Sequence, residues 1–274
     1  MSIVWLNGEL LDEADARISP FDHGLLTGDG VFETLQVLRG APFAARRHLE
    51  RLGRSAAGLR LPCPAASVVV TAMGAVIAAN GLEVGRLRVT LTGGPSPLGS
   101  DRAQVGPTVL VAGGPLSVWP ESTEVVVAPS PRNERSPLAG LKTISYAESI
   151  VALAFAHDRG AGEALFGNLA GNLCEGTGTN VFVGIGGRLV TPPLTAGCLP
   201  GVTRDLLLGL VDVAEDDMAL SALGSADEAF LTSSTRNVQA IRAVDGRPLP
   251  VCPGPLTAAA AQAFRELLGR DLDP

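Results

Sequence analysis

Three short stretches hold side chains whose types and spacing suit chemistry. Glu175 stands between an apolar run and the small-residue turn Gly176-Thr177-Gly178-Thr179, which leads to Asn180 and a predicted strand. Pro200-Gly201-Val202-Thr203-Arg204 then opens a helical pattern running to Val211. A glycine before a helix exposes backbone N–H groups at the positive end of the helix dipole, which suits a phosphate. A carboxylate and a phosphate site this close in sequence suggest a ligand with a phosphate at one end and a basic ring nitrogen at the other. Upstream, Lys142 lies in Leu141-Lys142-Thr143-Ile144-Ser145-Tyr146, in a chain poor in lysine. A lysine amine can add to a carbonyl carbon and can carry a proton.

In this order, Lys142-Thr-Ile-Ser-Tyr, Glu175-Gly-Thr-Gly-Thr-Asn and Leu199-Pro-Gly-Val-Thr-Arg resemble the class IV (fold type IV) pyridoxal-phosphate aminotransferases. That group includes branched-chain aminotransferases, D-amino-acid aminotransferases, (R)-amine transaminases and aminodeoxychorismate lyases. The likeness covers nearly the whole chain, and its specificity lies in the ordered set. It implies a two-domain α/β protein with pyridoxal 5'-phosphate in the interdomain cleft, and a homodimer.

The resemblance also implies roles. Lys142 is the Schiff-base lysine, which then moves the proton between the substrate α-carbon and the cofactor. Glu175 pairs with the pyridine nitrogen and favours the protonated ring. Arg51, in His48-x-x-Arg51-Leu, matches a phosphate-contacting arginine, whose fork suits two parallel hydrogen bonds. Val202 and Thr203 offer backbone N–H groups to the phosphate, and Leu199 packs on the ring face. Ser233 and Ser234 match a second phosphate-side turn, or else cap locally. Tyr146 reads either as a donor to the ring oxygen of the cofactor or as a core residue. Asn180 reads as a brace near Glu175 or as a purely local contact.

Within the group, Gly28-Asp29-Gly30-Val31-Phe32-Glu33-Thr34 departs from the Phe-Glu-Gly-Ile-Arg of branched-chain enzymes. It is closer to D-amino-acid transaminases and aminodeoxychorismate lyases. The arginine–histidine trap of the best-known D-amino-acid enzymes is absent, since Val89-Thr90 is followed by Leu91-Thr92. Phe32, Arg88 and Arg236 remain as candidate substrate contacts, the two arginines reading equally as surface residues. The expected activity is transfer of an amino group from a D-amino acid or (R)-amine to a 2-keto acid. Aminodeoxychorismate lyase is the runner-up, since both activities need the same proton abstraction. A non-enzymatic globular protein would have to hold all three motifs, in order, by chance.

The elements that must position these residues read as one α/β chain. Ile3 to Leu6 and the residues after Asn7-Gly8 form a hairpin. Alternation over Val31–Leu38 and Arg86–Thr92 predicts strands, and helices are predicted over Ala45–Leu59, Val68–Ala79, from a Ser145 cap to about Asp158, from Asp205, and over Thr257–Leu268. A linker over 115–120 separates a small domain, 1–114, from a large one, 121–274. The 274 residues are 46% apolar, enough for a substantial core. A net charge of −7 argues against a general nucleic-acid or anionic-membrane binder. Cys63, Cys174, Cys198 and Cys252 have neither zinc spacing nor a disulfide framework, so no metal is expected. Without a signal-peptide pattern or a membrane-length run, a cytoplasmic enzyme is expected.

Overall fold

Two compact units organise the computed structural model, which describes residues 2–274. The first comprises residues 1–117, 141–145 and 271–274, and the second residues 118–140 and 146–270. The stretch around Lys142 and the last four residues therefore group with the N-terminal unit, whereas the sequence boundaries assign both to the large domain. Hydrogen bonds explain this. Phe32 N–H donates to Lys142 O, and Ile144 N–H donates to Gly30 O. At the other end, Ala44 N–H donates to Leu272 O and Arg46 N–H to the Asp273 carboxylate.

In the first unit, β1 (Ile3–Leu6) and β2 (Glu9–Asp12) form the hairpin through Asn7 and Gly8, both at positive φ. The short helix α1 (His23–Thr27), capped by Asp22, had no signal in the periodicity. Next come β3 (Gly30–Leu38), β4 (Ala41–Pro42), α2 (Ala45–Gly58), α3 (Ala66–Asn80), β5 (Val84–Thr92) and β6 (Thr108–Gly114). The sheet order is β2-β1-β6-β5-β3-β4, with every pair antiparallel. Successive strand residues point to opposite faces. One face therefore presents Val31, Leu35, Val37, Leu87, Val89 and Leu91, which pack in a core with Leu52, Met73 and Val76 of the helices. Each fully buried aliphatic side chain contributes on the order of 1.5–3 kcal/mol.

The second unit holds β7 (Ser122–Val127), α4 (Ala147–His157), β8 (Glu163–Gly167), β9 (Leu173–Gly176), β10 (Asn180–Ile185), β11 (Arg188–Thr191), α5 (Val202–Leu208), β12 (Ala214–Glu215), β13 (Glu228–Ser233), β14 (Asn237–Val244), β15 (Arg247–Pro248) and α6 (Pro255–Arg270). Its sheet runs β12-β11-β10-β13-β14-β7-β8-β9, with β15 on β14. Only the pairs β11–β12, β14–β7 and β7–β8 are parallel. Val125, Leu165, Val181, Val183, Leu231 and Ile241 are buried in its core.

Two helix starts differ from the sequence reading. Ser145 does not cap α4; its hydroxyl donates to Gly28 O, and Tyr146 occupies the cap position, where no side chain caps the helix. Helix α5 begins at Val202, because Gly201 takes the cap conformation and its carbonyl accepts the Asp205 N–H. Among the described residues, no helix is long and apolar enough to cross a membrane.

Candidate active site

Lys142 is the only lysine in the sequence. Its carbonyl accepts the Phe32 N–H at 3.0 Å, and its own N–H donates to Ser55 Oγ at 3.1 Å. The segment lies along the start of β3, where Val31 bridges Thr143. Gly30 permits that approach: a Cβ there would stand 2.6 Å from Leu91 O and against the Ile144 side chain. Lys142 Nζ sits over the Phe32 ring, 4.3 Å from its centroid, and Arg88 Cζ lies 3.7 Å from the same centroid. The two cations are thus within about 8 Å of each other. Register accounts for the grouping. Phe32 faces Thr90 and Thr34 faces Arg88, so all four share the sheet face opposite the core.

On the core side, Glu33 interrupts an otherwise apolar row and is fully buried. Its carboxylate accepts Arg51 Nε at 2.8 Å, Arg51 Nη2 at 2.7 Å and His48 Nδ1 at 2.7 Å. Burial pushes the Glu33 carboxyl up, but the Arg51 charge and hydrogen bonds, joined by His48, outweigh it and hold it at about 2. Burial also pushes His48 below its ordinary value, against the pull of Glu33. Arg51, expected at a phosphate, is therefore a buried side chain whose direction Glu33 sets.

In the second unit Leu199 joins the two motifs. Its N–H donates to Glu175 Oε2 at 2.8 Å, and its carbonyl accepts Asn180 Nδ2 at 2.9 Å. Asn180 also explains Gly201, since its Oδ1 occupies the space where any Cβ would go. Asn180 braces the Leu199–Gly201 turn. Ahead of α5's first intrahelical bond lie the N–H groups of Val202 and Thr203, both residues buried. On β13, opposite Asn180, Thr232 Oγ1 is buried with no hydrogen-bond partner among the described residues. Ser233 Oγ accepts the Arg236 N–H, and Ser234 follows in the same turn. Tyr146 is half-buried at the start of α4.

Arg236 serves this unit's interior. Its Nη2 pairs with buried Glu163 at 3.2 Å, its Nη1 donates to Gln239 Oε1 at 2.9 Å, and its guanidinium stacks on Trp119. Burial lowers its pKa, partly countered by Glu163. Glu163 in turn accepts hydrogen bonds from the Thr177 N–H and hydroxyl, fixing the turn after Glu175.

The sequence reading missed Glu33, Glu163, Thr232 and Arg132. Glu33 and Glu163 had a signal, each a carboxylate in an apolar strand row. Arg132 had none, because an arginine in the loop Ser130-Pro131-Arg132-Asn133 reads as surface. Its Nε lies 3.3 Å from Glu175 Oε1.

Pyridoxal phosphate, which the motifs imply, requires an amine, a carboxylate for its ring nitrogen and donors for its phosphate. The donor set fits. Lys142 would supply the amine, Glu175, held by two donors, the carboxylate, and the Gly201–Thr203 turn and orphaned Thr232 hydroxyl polar groups for an anion. Among the described residues, no group of His, Cys, Asp or Glu is gathered as a metal site requires.

Residues 30–244 match the family model for amino-transferase class IV. A Methanocaldococcus jannaschii protein, provisionally named a branched-chain-amino-acid aminotransferase, is 32% identical over 89% of this chain and 88% of its own. The aminodeoxychorismate lyase of Bacillus subtilis is 32% identical over 86% of this chain and 84% of its own. A hypothetical aminotransferase from Mycobacterium tuberculosis, solved in its PLP-bound form, superposes with a TM-score of 0.85 at 25% identity, covering 96% of this chain and 98% of the other. These matches establish that the chain belongs to the class IV aminotransferases, pyridoxal-phosphate enzymes of fold type IV.

Proposed function

We propose that this enzyme moves an amino group from an α-amino acid to a 2-keto acid, with Lys142 as the proton-transferring amine and Arg88 as the receptor of the substrate carboxylate. The observation that carries this reading is the Phe32 ring, which has Lys142 Nζ and the Arg88 guanidinium both stacked on it. A separation within about 8 Å suits a carboxylate borne by the same carbon that loses its proton. Arg236 is the weaker candidate, because Glu163 and Gln239 already engage both its terminal nitrogens.

When bound, pyridoxal phosphate withdraws electrons from the substrate α-carbon and so makes its proton removable. Lys142 Nζ takes that proton and returns it on the other side of the reaction. Glu175 would accept the hydrogen bond of the ring nitrogen. The Val202 and Thr203 N–H groups, Arg51, Ser233 and Ser234 would hold the phosphate, Leu199 would pack on the ring and Tyr146 would donate to its oxygen. Glu175→Gln should therefore leave a folded, coloured enzyme whose single-turnover reaction is slowed roughly a hundredfold, the scale of a lost electrostatic partner. An unchanged rate, where chemistry is shown to limit, would remove Glu175 from the site.

For the donor, the Gly28–Thr34 stretch supports D-amino acids, with (R)-amines as donors that would leave Arg88 unused. The Methanocaldococcus relative's name supports branched-chain amino acids as a second reading, and the Bacillus relative's supports lyase activity. A single-turnover panel of D- and L-amino acids, (R)-amines and aminodeoxychorismate, read by cofactor spectrum and pyruvate release, separates them. Conversion of D-amino acids at least tenfold faster than L-leucine or L-valine is expected. Reaction with branched-chain L-amino acids alone, or release of pyruvate and 4-aminobenzoate, would overturn the donor assignment.

The chain is also assigned as a homodimer, supported by the exposed apolar side chains Phe21, Leu25 and Leu98 of the first unit. Four free cysteines and a net charge of −7 support a reducing, cytoplasmic setting with neither nucleic acid nor membrane as partner.

A further inference from the structure

Arg132 makes more directed contacts than a surface arginine needs. Its backbone N–H donates to Gly167 O at 2.8 Å, and Asn168 bridges it, so the main chain is fixed beside the end of β8. Its guanidinium lies on the Phe166 ring, with Cζ 4.2 Å from the centroid. Each nitrogen then has its own partner. Nε points at Glu175 Oε1 (3.3 Å), Nη1 at Glu148 Oε2 (2.5 Å) and Nη2 at Ser149 Oγ (3.0 Å). The fork is planar and rigid, so these contacts define one orientation.

We propose that Arg132 is a positioning residue that keeps Glu175 ionised and aimed, acting through Glu175 rather than on substrate. The proposal rests on the reading of Glu175 as the partner of the cofactor's ring nitrogen. With Leu199 N–H on Oε2 and Arg132 on Oε1, the carboxylate has a donor on each oxygen and cannot rotate freely. Both donors favour its charged form. Glu148 completes the arrangement. Two carboxylates share one guanidinium, so the cluster keeps one net negative charge, the complement of a single protonated ring nitrogen. Glu148 is half-exposed and its share is screened, whereas Arg132 is mostly buried. Without the guanidinium, Glu148 and Glu175 would lie close as like charges. Glu175, which makes the lost contact directly, would then gain proton affinity.

The test uses holoenzyme reconstituted with cofactor labelled with ¹⁵N in the ring. Arg132→Met keeps the stem on Phe166 and removes the fork; Arg132→Lys keeps the charge alone. The ring-nitrogen signal of Arg132→Met should move from the wild-type position toward that of Glu175→Gln, and that of Arg132→Lys should fall between. The single-turnover rate of Arg132→Met should drop at least tenfold while half-saturating donor changes less than threefold. Adding Arg132→Met to Glu175→Gln should slow the reaction less than twofold further. A wild-type ¹⁵N signal in Arg132→Met, or effects that multiply in the double variant, would overturn the proposal. A Glu175→Gln signal identical to wild type would instead overturn the reading of Glu175 itself. If Arg132→Met does not fold, Arg132→Lys decides alone: a wild-type signal and rate there would sink the requirement for the fork.

Discussion

Lys142→Ala is expected to fold and to have no measurable transamination. The fold should survive because the bonds that seat this segment are main-chain ones: Phe32 N–H to Lys142 O, and Lys142 N–H to Ser55 Oγ. The stacking of Nζ on Phe32 is lost, a cost of about 0.5–1 kcal/mol. The activity should fall by at least about a hundred- to ten-thousand-fold, the size of a lost proton-transfer group. Because the chain has no other lysine, the variant has no side-chain amine to substitute. Borohydride reduction of the wild-type holoenzyme should attach the cofactor irreversibly to one peptide, the one containing Lys142. Full activity in the variant, or a label on any other peptide, would sink the assignment. A variant that melts far below wild type would show instead that the ammonium on Phe32 is a structural contact.

Glu33→Gln should produce the largest loss of stability. Glu33 pairs with both Arg51 and His48, and all three are buried. Removing one partner of a buried ion pair leaves an uncompensated charge, at a cost of about 3–5 kcal/mol. The pH dependence has a definite sign. The Glu33 carboxyl is held down from its ordinary 4.5 to about 2 in the folded state. Its contribution is therefore fully present above pH 4.5 and is lost as pH falls through about 2. Urea midpoints measured from neutral pH into this acid window should converge for wild type and Glu33→Gln. A constant gap across the window would mean that the carboxylate's charge contributes nothing. Cofactor retention should weaken in the same variant, since Arg51 loses the group that directs it. Arg51→Ala is a poorer probe of phosphate binding alone, because it strands Glu33 in the core.

Local signals in the sequence determined a good deal. Alternation located β3 and β5, because one face of that sheet is buried and a one-residue slip would expose Val31, Leu35 and Leu87 together. The predicted helix end at Ala79 falls within one residue of α3's, where Gly81 takes the left-handed conformation that suits glycine. The ordered Lys142, Glu175 and Gly201 stretches identified the family, since each keeps its chemistry within a few adjacent residues. Tertiary structure decided the rest. The Lys142 segment joins β3 through partners about 110 residues earlier, so no periodicity near Lys142 reveals that it belongs with the N-terminal unit. Ser145 has the residue type of a helix cap, yet a carbonyl 117 residues away claims its hydroxyl. Arg236 and Arg88 look alike in sequence, but one is committed to buried Glu163 and the other stacks on the ring that also carries Lys142. Arg132 meets Glu175 across 43 residues. A charged side chain's partner is set by which strands lie side by side, and that pairing is chosen by burial of the whole sheet rather than by the residues flanking the charge.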